Sequence, residues 1–239
     1  MKTFFFIIIF VAIFAFDASS QSEVTRQSVY WTRYQNHLFF SPRIYWNNEF
    51  DNRRFFHPDV QNQFIIHSHL HLKKNSWDFG AGVTLSWIYS QIQREVYDHP
   101  VAEIRGVTEA SHQFQLGKVS VQNRLRIDHR FFQEDPAKSV FEESFFVMRF
   151  RYRAQIGIPL ILVHNETLLG LRLANEIMLN HTGNTFDQNR IYVTFDYKVM
   201  RNLTVEGGYI YIFQQRFGTD AFFERHVIRL TLLHKIWLN

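Results

Sequence analysis

The stretch Gln63–Lys74, "QFIIHSHLHLKK", places His67, His69 and His71 at every second position. On a strand, where side chains alternate with period two, the three imidazoles share a face; on a helix they scatter. His-x-His on a strand is half of a zinc ligand set, and the remaining ligands must come from elsewhere in the chain. Carboxylates such as Glu49 cannot be assigned to that role from spacing. The expectation is therefore no metal, with neutral imidazoles joining a polar hydrogen-bond network.

The charged residues make a second pattern. Arg124, Arg126, Asp128 and Arg130 share one strand face, and Arg149, Arg151 and Arg153 share the next. Arg172 with Glu176, Arg190 with Asp196, and Glu206 with Arg229 continue it, and Arg43, Glu49, Glu103, Arg105 and Glu109 precede it. Antiparallel neighbours bring facing side chains within about 5 Å, so opposite charges pair across strands. Adjacent arginines need such partners because unpaired like charges repel. Two chemistries suit the pattern: ion pairs that fill an interior, or an arginine constriction that selects anions. Filling is the expectation and anion selection the alternative.

A third candidate is a lipid hydrolase using a Ser–His pair. Ser111 precedes His112, and Ser68 lies between His67 and His69. Adjacent strand residues point to opposite faces, so neither serine reaches its neighbouring imidazole. The chain is expected not to be an enzyme and to need no cofactor, with the hydrolase kept as a further alternative.

The elements that carry these residues are long strands. Trp77, Phe79, Ala81, Val83, Leu85 and Trp87 alternate with Asp78, Gly80, Gly82, Thr84 and Ser86. Phe146, Met148, Phe150, Tyr152, Ala154 and Ile156 alternate with Arg149, Arg151, Arg153 and Gln155. Such half-polar runs are long enough to cross a bilayer, which takes roughly 9–11 tilted residues. Large apolar rows with aromatics near their ends suit an outer-membrane barrel: lipid outside, aromatic girdles at both rims, polar residues in the lumen. The fold class is thus an all-β, antiparallel transmembrane β-barrel with a polar, Arg-rich lumen.

Eleven candidate strands follow: 27–35, 38–50, 61–73, 76–90, 102–116, 119–132, 144–163, 167–179, 188–199, 203–214 and 225–237. Short connections alternate with longer polar ones, as periplasmic turns and extracellular loops do. Bacterial single-chain barrels normally have an even strand number, which points to ten or twelve, with 27–35 the doubtful strand.

The first residues, "MKTFFFIIIFVAIFAFDASSQS", carry Lys2 and then an apolar run from Phe4 to Phe16. That is too short for a spanning helix and fits a secretory signal, with cleavage between Ser20 and Gln21. Residues 1–20 are expected to be removed and 21–239 to form the barrel. The chain has no cysteine, so an exported protein must hold together without disulfides. Its net charge of +4 is mild, and no basic block suggests a nucleic-acid partner.

The segments "NRLRIDHRFF", "MRFRYRAQIGIPL", "LANEIMLN" and "NTFDQNRIYVTFDYKVMRNLTVEGGYIYIFQQ" together resemble an uncharacterised family of Gram-negative outer-membrane barrels, the domain of unknown function numbered 2490. The resemblance rests on order and spacing: an Arg-rich hairpin, a second Arg-rich strand, a Glu-bearing strand, Phe-Asp-Gln-Asn-Arg and a Tyr-rich strand. It implies a barrel in the outer membrane and supplies no catalytic residues. The expected partners are outer-membrane lipid and the barrel-assembly machinery, with any permeant unknown.

Overall fold

The computed structural model describes residues 23–92, 99–135, 137–164 and 166–238; the expected signal peptide lies outside them. Eleven strands follow in chain order: β1 Val24–Phe39, β2 Ile44–Phe55, β3 Gln61–Lys74, β4 Trp77–Ile88, β5 Val101–Leu116, β6 Val119–Gln133, β7 Ser144–Val163, β8 Glu166–Asn180, β9 Phe186–Met200, β10 Leu203–Gln215 and β11 Phe222–Trp237. Each pairs antiparallel with the next, and β1 closes the barrel by pairing with β11. That closing pair is parallel, running from Val24↔Phe222 to Phe39↔Trp237.

The odd number corrects the preference for ten or twelve. An even count lets every pair, including the closing one, be antiparallel. Here the first and last strands run in the same direction, and a parallel ladder satisfies the same backbone groups with slanted bonds. The doubtful first strand is a full member of the wall.

The first two strand boundaries also differ from expectation. Asn36–His37 is not a turn: alternation continues to Phe39. The chain reverses at Phe40–Arg43, where the Ser41 hydroxyl accepts from the backbone N–H groups of Arg43 and Ile44 at 3.3 and 3.1 Å. β2 then runs on to Phe55, so Asp51 and Arg53 belong to the wall rather than to a loop. Short reversals elsewhere follow the turn chemistry of the chain, with Asn75 and Gly117 in left-handed conformations (φ 56° and 60°).

The two faces are sorted as in a lipid-facing barrel. Leu70, Val83, Leu125, Ile228 and Leu230 are each more than half exposed on the outside. Outward aromatics gather at both rims. Trp77 packs on Phe79 and His112 at the short-turn rim, with ring centroids 5.9 and 4.7 Å apart. Phe131–Phe146 and Phe213–Phe222 lie at the long-loop rim, 5.0 and 4.8 Å apart. The interior is mainly polar and charged, with one apolar cluster around Val29, Trp31, Phe55, Tyr192, Ile210 and Val227.

Candidate functional site

The lumen is built from the inward residue of every second position, and its centre is a guanidinium–carboxylate lattice. Asp128 on β6 accepts from Arg126 on its own strand at 2.6 Å and from Arg149 on β7 at 2.8 Å, and Arg151 lies 3.4 Å away. Glu176 on β8 accepts from Arg124 and Arg151, each at 2.8 Å, and from the Tyr192 hydroxyl at 2.8 Å. Arg124 thus reaches over β7 to find its carboxylate. Arg149 reaches over β8 to Asp187 at 3.1 Å, and Arg172 meets both Asp196 at 2.7 Å and, over β9, Glu206 at 2.6 Å. Arg130 pairs with Glu103 at 2.6 Å and covers the Phe132 ring.

Two of the expected lattice members stand apart from carboxylates. Arg153 donates to Gln155 and lies over the Tyr192 ring, 5.1 Å from its centroid. Arg190 donates to Gln188 at 2.6 Å and lies 5.5 Å from the centroid of Trp31. With Arg225 and Arg229 they line a polar cavity of about 140 Å³ in the middle of the barrel. These four have no carboxylate at ion-pair distance among the described residues.

Several lumen residues escaped the strand pattern. Asp51 is fully buried between Arg33 at 2.5 Å and Arg53 at 3.0 Å, and Arg33 also meets Glu49 at 2.7 Å. The period-two spacing from Glu49 to Asp51 and Arg53 carries the signal, but the polar run "DNRRFFHPD" has the composition of a loop and hides it. Arg225 donates to Gln27 and Gln214, each at 2.6 Å, and its Nη2 lies 3.3 Å from the Gln91 carbonyl. Gln91 lies in the connection after β4, and its carbonyl also accepts from Gln27 at 2.9 Å. No local signal in the sequence points to that contact across the mouth.

Above Gln91, at the long-loop end, lies a larger and more apolar vestibule of about 480 Å³, with Phe132, Phe145, Phe217 and Phe223 in its wall. Ile88, Gln91, Arg130 and Gln214 line both chambers and so form the boundary between them. The loops over the vestibule are tied together, since Asn184 donates to the Thr219 carbonyl at 2.6 Å and accepts from the Gly218 N–H at 2.7 Å. At the same rim the Asp59 carboxyl is held below its usual range by hydrogen bonds from Arg54 and Tyr30.

The three histidines face the lumen from β3. His67 bonds the Thr84 hydroxyl through Nδ1 at 2.7 Å, and His69 Nε2 lies 3.3 Å from the same hydroxyl. His71 bonds Asp78 through Nδ1 at 2.8 Å, and Tyr45 donates to the other Asp78 oxygen at 2.7 Å. Ser111 is buried in the lumen, whereas His112 lies outside against Trp77, so the two are on opposite faces.

A solved structure described as "Outer-membrane expressed OmpT of Vibrio cholerae" is similar to this chain with a TM-score of 0.38 and 11% identity, covering 75% of this chain and 58% of that one. No curated protein matches the chain. The model of the family described as "Protein of unknown function (DUF2490)" matches residues 29–223, most of the barrel from β1 to the start of β11, and the chain belongs to that family.

Proposed function

We propose that the protein is an outer-membrane barrel, exported by a cleaved signal, whose lumen is shut to steady ion flow and which acts through its long-loop face. The observation that carries this reading is the cross-linking of the lumen. Ion pairs step over intervening strands, and Gln91 is held against β1 and β11, leaving a central cavity of only about 140 Å³. The apolar outer surface with an aromatic rim at each end supports placement in a bilayer. The separation of Ser111 from His112 argues against hydrolysis by a Ser–His pair.

Reconstitution in a planar bilayer tests the closed lumen: the unmodified protein should give no steady conductance. Fractionation tests the location: the protein should enter detergent extracts of outer membrane as a heat-modifiable band. Recovery as a soluble periplasmic monomer would sink that placement.

A second reading, an anion-selective channel, is favoured by one observation. Arg153, Arg190, Arg225 and Arg229 line the central cavity without a carboxylate at ion-pair distance among the described residues. Arginine linings suit anion passage. Stepwise chloride currents in the same bilayer, with a reversal potential set by the anion gradient, would replace the first reading with this one.

A further inference from the structure

We infer that His69, His71 and Glu109 form a binding site for a divalent first-row transition metal, zinc by ligand type, on the inner wall of the barrel. One ligand atom from each lies within 4.8 Å of the other two. His71 Nε2 and Glu109 Oε1 are 3.5 Å apart. Ligands on a tetrahedral zinc with bonds of about 2.1 Å sit about 3.4 Å from one another.

The strand register explains how the three meet. His71 on β3 faces Gly80 on β4, and Gly80 faces Glu109 on β5, so the three lie in one row. Having no side chain, Gly80 lets the imidazole and the carboxylate approach above it. A Cβ there would stand 2.6 Å from His71 Cε1, 2.9 Å from its Nε2 and 3.0 Å from Glu109 Cγ. Gly82 lets the β3 backbone itself come close beside His69, since an added Cβ would stand 2.1 Å from the Ser68 carbonyl oxygen, 2.6 Å from His69 Cα and 2.8 Å from its Cδ2. The glycines of "FGAGV" are thus the partner of "HSHLH": they open the lumen face of β4 where the histidines lean across it.

A second observation is independent of this spacing. His71 Nε2, the proposed ligand atom, is buried without any hydrogen-bond partner among the described residues, on a side chain only 7% exposed. Buried polar atoms of this kind call for an explanation. The other His71 nitrogen is bonded to Asp78, the arrangement by which a carboxylate orients a ligating imidazole and fixes its tautomer.

Two arginines set a limit on affinity. Arg124 and Arg126 lie 3.7 and 3.8 Å from Glu109 Oε2, on the oxygen that does not face His71. Each has a closer carboxylate of its own, Glu176 and Asp128 respectively. Glu109 can therefore give Oε1 to a cation while Oε2 faces the arginines, whose charge keeps binding in the micromolar range. The competing arrangement is His71 bridging Asp78 and Glu109 with no metal.

The test uses full-length, tag-free protein folded in detergent, stripped with chelator and titrated with zinc by calorimetry, then with cobalt(II) as a spectroscopic probe. One zinc per chain should bind with a micromolar Kd, and cobalt should show the intense visible bands of a four- or five-coordinate ion. Glu109→Gln and His71→Ala should each weaken zinc by tenfold or more, and Asp78→Asn by about tenfold as an orienting residue. His67→Ala should leave binding unchanged, because its imidazole is not in the set. The inference is overturned by absence of saturable zinc binding, by binding that survives Glu109→Gln, or by equal loss in His67→Ala. Should His71→Ala not fold, the near-isosteric Glu109→Gln and the cobalt spectrum of the unmodified protein decide.

Discussion

Arg151 and Arg153 differ by one inward position, yet they have different surroundings. Arg151 is held by Glu176 and Asp128, carboxylates from the strands on either side, whereas Arg153 rests on Gln155 and Tyr192. Removing one member of a buried pair leaves an uncompensated charge, so Arg151→Ala should destabilise the barrel by about 3–5 kcal/mol. Arg153→Ala should cost much less, because it strands no carboxylate. Urea unfolding in lipid vesicles, read by Trp fluorescence, checks both; equal effects would contradict the lattice. Which face these arginines occupy was legible from period two. Which carboxylate each one finds was not, because Arg124–Glu176 and Arg172–Glu206 reach over a strand, and barrel curvature decides that.

At the scale of the element, the strands read from alternation lie close to the folded ones wherever apolar and polar residues take strict turns. Every strand from β3 to β10 is recovered within two residues at either end. The failure at β1 and β2 has a physical cause: Asn36–His37 and "DNRRFFHPD" carry turn-type or polar residues that here face a polar lumen. In a barrel of this kind, polarity marks the inside as well as the loops. Two substitutions test the wall. Leu125, outward and near the middle of β6, is 62% exposed, and Leu125→Arg should destabilise by about 2–4 kcal/mol in lipid. An unchanged unfolding curve would mean that this face does not meet hydrocarbon. Gly80→Ala on β4 should cost about 1–3 kcal/mol by overpacking against His71. A neutral result would show that the imidazole has room to withdraw.

For the whole molecule, the sequence made legible the class of fold, the sorting of its faces and the alternation of short and long connections. The expectation of an even count came from what such barrels usually do, and nothing in the alternation itself argued against eleven. The contact across the mouth was not legible, because Gln91 meets Gln27 and Arg225 across a distance in sequence that no periodicity reports. That contact gives a whole-molecule prediction. Arg225→Ala removes the donors that tie Gln27 and Gln91 to β11 while leaving the bond between the two glutamines, and should make conductance events appear in a planar bilayer that the unmodified protein does not give. Silence in the variant as well would place the barrier deeper, in the ion-pair lattice.

The parallel seam between β1 and β11 gives the barrel a polarity of another kind. β1 starts at the rim of the long loops, and β11 ends at the rim of the short turns. In an even-stranded barrel both termini emerge in the same compartment. Here, with the short turns on the periplasmic side, a peptide tag set just before Val24 would be presented to the medium, and one set after Trp237 to the periplasm. Antibody labelling of intact and permeabilised cells should separate the two. The wall would then act as a two-ended mount, able to address one passenger to each side of a membrane from a single chain.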